Sequence, residues 1–288
     1  MAIKAISNYL SLVKFSHTIF AMPFALIGFM LAVWYENKGF ETKLFVCVLL
    51  CMIFARSAAM AFNRLIDARF DALNPRTATR EIPAGIIGKN QAALFITLNC
   101  LLFITTTWFI NKTCFYLSPL ALFIILFYSY TKRFTALCHF VLGVGLALAP
   151  IGAYLAVTNY FSVIPILFSF IVFTWVAGFD ILYALQDEDF DKGNQLHSVP
   201  AALGRKGGIY LSTIVHIITA SLTLSVGWVA SFHYVYWIGA TVFIALLIYQ
   251  HILIKPNDIS KINMAFATVN GIAGIVFALF TVWAIYLT

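Results

Sequence analysis

Long uninterrupted runs of apolar residues recur along the chain and are separated by short polar connections. About 20 helical residues, at 1.5 Å each, cross the roughly 30 Å hydrocarbon layer of a membrane. The runs predict about nine transmembrane helices, at roughly residues 17–35, 43–63, 91–110, 114–130, 137–157, 162–183, 209–231, 234–254 and 265–287. They are continuous, unlike the alternating segments of an outer-membrane barrel. The pattern predicts an all-α polytopic membrane protein with its helices around a central cavity.

Composition agrees with this prediction, because 62% of the residues are hydrophobic, only 10% are charged and the mean hydropathy is +0.94. Soluble domains do not reach such values. The first residues, "MAIKAISNYLSLVKFSH", lack a signal-peptide layout and a cleavage site, so we expect the first span to be retained. The 5 cysteines form no CxxC and the 6 histidines no HxxxH or HExxH spacing, so zinc chemistry is not indicated.

Lysine and arginine are distributed unevenly over the connections. With the N-terminus in the cytoplasm, fourteen of the 18 lie on that side, in the N-terminal segment and near 64–90, 131–136, 186–208 and 255–264. The exceptions are Lys38, Lys43 and Lys112 on the other side, and Arg56 inside a predicted span. By the positive-inside rule these basic loops are cytoplasmic, in a bacterial inner membrane. The net charge of +7 then reflects topology and attraction to anionic ligands or lipids, not nucleic-acid binding.

Nine of the 11 acidic residues lie on the same side, and two clusters of them follow the second and sixth spans. A separation of four helices places both clusters on one membrane face. It also suggests that spans 1–4 and 5–8 are a parallel internal duplication, with span 9 added, within a single domain of residues 1–288. We therefore expect the two clusters to form one site.

The first cluster lies in "AFNRLIDARFDALNPRTATREIPAG", residues 61–85, where Asn63, Asp67 and Asp71 follow one another at four-residue steps. This spacing places them on one face of a helix that leaves the membrane. Like charges at this spacing repel, so cations must compensate, and nearby candidates are Arg64, Arg69, Arg76, Arg80 and Lys192. Oxygen ligands alone favour a hard divalent cation, above all Mg²⁺.

The second cluster lies in "DILYALQDEDFDKGNQLHSVP", residues 180–200. Here Asp180, Asp187 and Asp191 are seven and four residues apart, with Tyr183 between them, again on one helix face. A solvated loop of mutually paired charges could account for one such cluster. Two clusters at equivalent places on one membrane face instead favour a functional site.

Two magnesium sites, several arginines and an apolar interior match the needs of a lipid diphosphate. The diphosphate bridges metal ions, and its lipid tail lies between apolar helices. Ionisation of an allylic C–O bond requires stabilisation of the leaving diphosphate. The allyl cation needs a water-poor pocket with aromatic faces, which Tyr128, Tyr130, Tyr183 and the 28 phenylalanines can supply.

Four stretches of the sequence resemble the UbiA superfamily of intramembrane prenyltransferases. "NRLIDARFD" resembles its NDxxDxxxD motif, and "DEDFD" resembles its second motif, DxxxD. "RTATREIPAG" (76–85) and "YSYTKRFT" (128–135) are similar to the family's loops after spans two and four. The resemblance covers nearly the whole chain and is closest to the 4-hydroxybenzoate polyprenyltransferases.

The resemblance implies a division of roles among the acidic residues. Asn63, Asp67 and Asp71 would bind one Mg²⁺, and Asp187 with Asp191 a second, with the diphosphate of a polyprenyl donor between them. The four aspartates are then the candidate catalytic residues. The expected reaction is ionisation of the donor, followed by attack of an aromatic ring carbon ortho to a hydroxyl. Asp187, Asp191 or the released diphosphate could take the ring proton, and the sequence does not choose among them.

The resemblance also implies substrate-binding cations, namely Arg76, Arg80, Lys132 and Arg133. Lys14, in "LVKFSHTIFAMPFAL", lies where the family often has an arginine, and is a candidate for binding the acceptor's carboxylate. A lysine that only snorkels to the membrane surface is the alternative. The sequence indicates the lipid bilayer as a partner and gives no indication of a protein partner.

Two departures from the family pattern affect the interpretation. Arg64 stands where the first motif has aspartate, which removes no expected metal ligand. The "KFSHTIFAMPFAL" segment differs from the commoner "DKP" version and resembles a branch with a naphthoate acceptor. The expected acceptor is 4-hydroxybenzoate, for ubiquinone synthesis, with a dihydroxynaphthoate, for menaquinone, as the alternative. A cation-coupled transporter is the rival class, but its acids would be expected near the membrane midplane on broken helices.

Overall fold

The computed structural model describes residues 2–13 and 21–288, and in these residues helices dominate, with one isolated β-bridge between Lys255 and Asp258. The α-helices are α1 (Ala2–Leu12), α2 (Met22–Met30), α3 (Thr42–Ile66), α4 (Ala68–Leu73), α5 (Lys89–Trp108), α6 (Lys112–Thr131), α7 (Cys138–Thr158), α8 (Val163–Ala184), α9 (Glu188–Gly193), α10 (Val199–Val229), α11 (Tyr234–Leu253) and α12 (Asn270–Leu287). Two π-helical segments extend this set: Leu31–Tyr35 continues α2, and Met264–Val269 leads into α12.

Eight of the helical segments in the described part are long and apolar enough to cross a membrane, and a shorter apolar one covers Met22–Tyr35. The prediction of an all-α membrane protein with about nine spans is therefore confirmed. Residues 17–20 of the first predicted span lie outside the described residues. The other predicted spans agree with the helices to within a few residues, with one exception.

The exception is α10, which we predicted to begin near residue 209 and which begins at Val199. Ser198 caps its first turn by accepting a hydrogen bond from the Ala201 N–H at 3.3 Å. Gly204 interrupts the helix with a left-handed φ of 69°, a conformation that glycine adopts without strain. Residues 199–203 are therefore a separate short helical segment before the kink. Hydropathy missed the start of α10 because the charged residues Arg205 and Lys206 directly follow the kink.

Helix α8 forms the centre of the bundle. In its most apolar window 67% of the residues are buried, compared with 17% in α6, so α8 is largely surrounded by protein and α6 is not. Trp175 of α8 is fully buried and packs against Phe24 of α2 and Phe243 of α11. This central position gives the second acidic cluster, at the end of α8, a rigid support.

The walls of the bundle approach closely where α2 meets α7. Gly28 packs directly against the backbone of Pro150, and a Cβ at this position would collide with the Pro150 carbonyl group. The absence of a side chain at Gly28 therefore sets the distance between the two helices.

Both acidic clusters lie at the same kind of helix ending. α3 ends at Ile66 and is followed, after Asp67, by the six-residue helix α4. α8 ends at Ala184 and is followed, after a 3₁₀ turn, by the six-residue helix α9. The internal duplication of the chain stays a prediction.

Candidate functional site

Eight charged side chains from the two acidic clusters and two loops lie together at one end of the bundle. We call this set the charged mouth, and its members are Asp67, Asp71, Arg76, Arg80, Lys132, Arg133, Asp187 and Asp191. Each carboxylate pairs with one cation: Asp187 with Arg76 at 2.6 Å, Asp71 with Arg80 at 2.6 Å, Asp191 with Lys132 at 2.7 Å and Asp67 with Arg133 at 2.9 Å. The sequence predicted these residue types at one site, but not this pairing.

Arg76 joins the two halves of the site. Its side chain extends from the loop after α4 and donates two hydrogen bonds to Asp187, from Nε at 3.1 Å and from Nη2 at 2.6 Å. Asn74 donates a third to the same carboxylate at 3.2 Å. The Tyr183 hydroxyl, one helical turn before Asp187, accepts a longer one from Arg76 at 3.4 Å. A forked arginine–carboxylate pair of this kind fixes both position and orientation.

The end of α6 contacts both acidic clusters through two adjacent cations. Lys132 lies against Asp191, which is fully buried and also accepts a hydrogen bond from the Ser198 hydroxyl at 2.8 Å. Burial alone would lower the pKa of Lys132, but the Asp191 carboxylate outweighs it and raises that pKa. Arg133 donates to Asp67 at 2.9 Å and to the Ile66 carbonyl at 3.0 Å.

The four-residue spacing of the first cluster persists across the break between α3 and α4. The Asp67 N–H donates to the Asn63 carbonyl at 2.9 Å, and the Asp71 N–H donates to the Asp67 carbonyl at 2.8 Å. The Asn63 amide also donates to the Asp67 carboxylate at 3.0 Å. Burial raises the pKa of Asp67, against the opposing effect of Arg133. Oδ2 of Asp71 is buried and has no hydrogen-bond partner among the described residues.

These residues could hold a divalent cation only after rearrangement. Within the described ranges, no three His, Cys, Asp or Glu residues are already gathered around one point. Each carboxylate instead faces its own cation, and all four border a small cavity of about 90 Å³. Oδ2 of Asp71 is free, and the other candidate ligands are carboxylate oxygens and the amide oxygen of Asn63. Hard divalent cations prefer such oxygen ligands. The donor set therefore fits Mg²⁺ once the carboxylates turn from their cations.

A cavity of about 930 Å³ lies behind the charged mouth. Asn63, Asp67 and Asp187 line its polar end, whereas much of the remaining lining is apolar and includes Val48 and Leu148. The walls come mainly from α3, α6, α7 and α8. A cavity of this shape suits a ligand with an anionic head and a long apolar tail.

Sequence reasoning gave no role to Arg56, which lines this cavity from α3. Its Nε is buried without a hydrogen-bond partner, and the part of the chain that the structure describes offers it no carboxylate in ion-pair contact. An uncompensated arginine inside a membrane span is costly and marks a functional position. Its place within an apolar run was the sequence signal that could have identified it.

Asp180 and His139 also line the large cavity, with Nδ1 of His139 at 2.7 Å from Oδ2 of Asp180. Asp180 belonged to the second predicted acid cluster without a role of its own. Tyr128, a predicted substrate-binding residue, lines the same cavity, and so does Tyr183. Lys14 lies outside the described residues, so its predicted contact with the acceptor stays a prediction.

Comparison with known proteins gives consistent results. Residues 21–272 match the model of the UbiA prenyltransferase family. A 4-hydroxybenzoate octaprenyltransferase of Tolumonas auensis is 28% identical over 248 residues, 86% of each chain. Another, of Yersinia enterocolitica, is 24% identical over 247 residues, 85% of each chain.

Solved structures share the fold. The apo structure of a UbiA homolog from Aeropyrum pernix K1 superposes with a TM-score of 0.80 and 26% identity, covering 94% of this chain and 97% of that one. A UbiA homolog from Archaeoglobus fulgidus, bound to GPP and Mg²⁺, has a TM-score of 0.71 and 20% identity, over 98% of this chain and 100% of that one. With the family model matching most of its length, the chain belongs to the UbiA prenyltransferase family.

Proposed function

We propose that the protein transfers a polyprenyl group from a polyprenyl diphosphate to a ring carbon of an aromatic hydroxy acid, with 4-hydroxybenzoate as the acceptor. The observation that carries this proposal is the charged mouth at the end of an apolar cavity that contains an unpaired arginine. The names of the relatives that share most of the chain support the choice of acceptor.

The donor's diphosphate binds at the charged mouth. Asn63, Asp67 and Asp71 on one side, and Asp187 and Asp191 on the other, would hold Mg²⁺, whose bound form supplies Lewis-acid stabilisation of the leaving diphosphate. With these carboxylates bound to Mg²⁺, the four cations that now neutralise them would be free to contact phosphate oxygens. The cations are thereby held ready for an anion that has more than one negative charge.

The acceptor binds deeper in the cavity, with its carboxylate at Arg56. Arg56, Tyr128 and Asp67 line the same cavity, so the acceptor's site adjoins the charged mouth. A carboxylate–guanidinium hydrogen bond in a water-poor site contributes about 1.5–3 kcal/mol. Lys14 is a second candidate for the same carboxylate.

The apolar walls perform the remaining task. They hold the donor's lipid tail and exclude water, so the allyl cation reacts with the aromatic ring rather than with solvent. Tyr128 and Phe103, which line the cavity, offer aromatic faces that stabilise a cation.

The test is an assay with purified protein in lipid, a polyprenyl diphosphate and either 4-hydroxybenzoate or a dihydroxynaphthoate. The expected result is diphosphate release and a prenylated product, with the higher kcat/KM for 4-hydroxybenzoate, and loss of both on addition of EDTA with recovery by Mg²⁺. A higher kcat/KM for the naphthoate would transfer the proposal to that acceptor. Full activity in EDTA would contradict the metal, and no product with either acid would contradict the proposed activity.

A further inference from the structure

Asp180 lies inside the cavity, apart from the charged mouth. It precedes Asp187 by seven residues on the same helical segment, which places it about 10 Å deeper. No lysine or arginine of the described residues pairs with it, and its one polar partner among them is His139. Its side chain keeps 23% exposure, whereas His139 keeps 3%. Asp180 is therefore a carboxylate that faces the cavity and is free of neutralising cations.

The hydrogen bonds of His139 fix its protonation. The backbone N–H of Val199, at the start of α10, lies 3.2 Å from Nε2. A backbone N–H can only donate, so Nε2 is an acceptor and carries no proton. The proton of the neutral ring is then on Nδ1, which donates to Oδ2 of Asp180 at 2.7 Å. The ring orients the Asp180 carboxyl group and leaves its Oδ1 without a hydrogen-bond partner in the described part of the chain.

The four aspartates of the charged mouth are poorly suited to receive a proton from the acceptor. Each already faces a cation, and each is a candidate metal ligand. Asp180 has neither constraint. The depth of Asp180 in the cavity also suits the acceptor. Arg56 precedes Asp67 by eleven residues, so it lies about 16 Å below the charged mouth. Asp180 thus lies between the charged mouth and Arg56, about 6 Å from the latter in depth, and a para-hydroxy acid held at Arg56 directs its hydroxyl toward it.

We propose that Asp180 is a catalytic residue that accepts the phenolic proton of the aromatic acceptor, and that His139 is its positioning residue. The inference rests on the proposed function. The C1–O bond of the donor breaks first, and its electron pair leaves with the diphosphate. As the ring carbon then bonds to C1 of the allyl cation, the O–H electron pair moves into the ring and Asp180 takes the proton. The resulting cyclohexadienone then loses its ring proton to the released diphosphate and regains the phenolic proton from Asp180. The net result is a prenylated phenol and protonated diphosphate.

Three variants test this assignment. Asp180→Asn keeps the size of the side chain but removes its basicity, so kcat falls about 10²- to 10⁴-fold. His139→Gln preserves both hydrogen bonds, because an amide donates to Asp180 and accepts from Val199, and it retains most of the wild-type kcat. His139→Leu has neither group and lowers kcat about 10- to 100-fold. Equal rates for the Gln and Leu variants would contradict the positioning role.

A second readout separates proton transfer from a structural effect. Halogenated 4-hydroxybenzoates, whose hydroxyls are more acidic, depend less on a base. The ratio of wild-type to Asp180→Asn kcat should therefore fall along the series toward one. The same series with His139→Leu gives an independent measurement should Asp180→Asn fail to accumulate in membranes. A ratio that is constant along the series would overturn the proposal.

The failure of this inference differs from failure of the proposed function. If the wild-type protein prenylates no aromatic acid, the proposed function fails first, and with it this step. If it prenylates 4-hydroxybenzoate and Asp180→Asn does so equally fast, only the role of Asp180 is wrong. Binding of the polyprenyl diphosphate, measured without acceptor, should be the same in all the variants.

Discussion

The aspartates of the charged mouth differ in what their removal leaves behind. Asp191 is fully buried and neutralises Lys132, so its loss opens a gap in the buried interior and leaves the ammonium unpaired, as well as removing a candidate ligand. Asp67 keeps 26% exposure, so its loss leaves its partner Arg133 in contact with solvent and costs less folding energy. Asp67 is therefore the better position at which to separate catalysis from stability.

Asp67→Asn should reduce prenyl transfer about a thousandfold, equivalent to about 4 kcal/mol of lost transition-state stabilisation, while the protein still accumulates in membranes. The amide is nearly the same size but is neutral and a weak metal ligand. Asp189→Asn is the matched control, because Asp189 belongs to the second acidic cluster and yet its side chain is 90% exposed. Product formation in purified membranes is the measurement. A comparable loss in both variants would indicate a general effect of charge and not a ligand role for Asp67.

Arg56 is the residue that distinguishes acceptor binding from donor binding. Arg56→Met should raise the KM for the aromatic acid about 10- to 100-fold, because one charged hydrogen bond to its carboxylate is lost. The KM for the diphosphate should stay unchanged, since the charged mouth is intact. Arg69→Met, at an exposed position of α4, serves as the control.

The same kinetic assay on Lys14→Met determines which cation holds the carboxylate. A higher acceptor KM in this variant, with no change in Arg56→Met, would transfer the role to Lys14. A change in donor KM for either variant would assign that residue to the diphosphate instead.

At the scale of helices, some features follow from local sequence and others do not. The spans were predictable because hydropathy reports a twenty-residue apolar run directly, and the line of Asn63, Asp67 and Asp71 followed from helical periodicity. The pairing of Arg76 with Asp187 was not predictable, because these residues are 111 positions apart and meet only when the two halves pack. The early start of α10 was missed because Arg205 and Lys206, directly after the kink, interrupt the hydropathy signal.

The contact between α2 and α7 gives a prediction about stability. Gly28→Ala should lower the melting temperature in detergent, at a cost of about 1–3 kcal/mol, because the new methyl group overlaps the Pro150 carbonyl. Gly152→Ala is the control, since a Cβ at that position of α7 meets no atom within 4 Å. Equal melting temperatures for the two variants would show that the helices separate without cost.

At the scale of the whole molecule, the charged mouth constrains topology. Its two acidic clusters come from opposite halves of the chain, yet Arg76 and Asp187 lie within 2.6 Å of each other. The loops that follow α3 and α8 must therefore share one membrane face. Relative topology thus follows from the contacts, whereas absolute orientation depends on the surplus of basic residues on that face.

We expect this face to be cytoplasmic. A reporter fused after Gly88 or Lys206, on the side with fourteen of the 18 lysines and arginines, should report the cytoplasm. A reporter fused near Lys112 or Asn159 should report the opposite side, and intact fusions must keep prenyltransferase activity so that only folded chains are scored. If all four fusions reported reversed sides, the orientation would be wrong but the site would stand. If the Gly88 and Lys206 fusions reported different sides, the two acidic clusters could not meet, and the shared site itself would be contradicted.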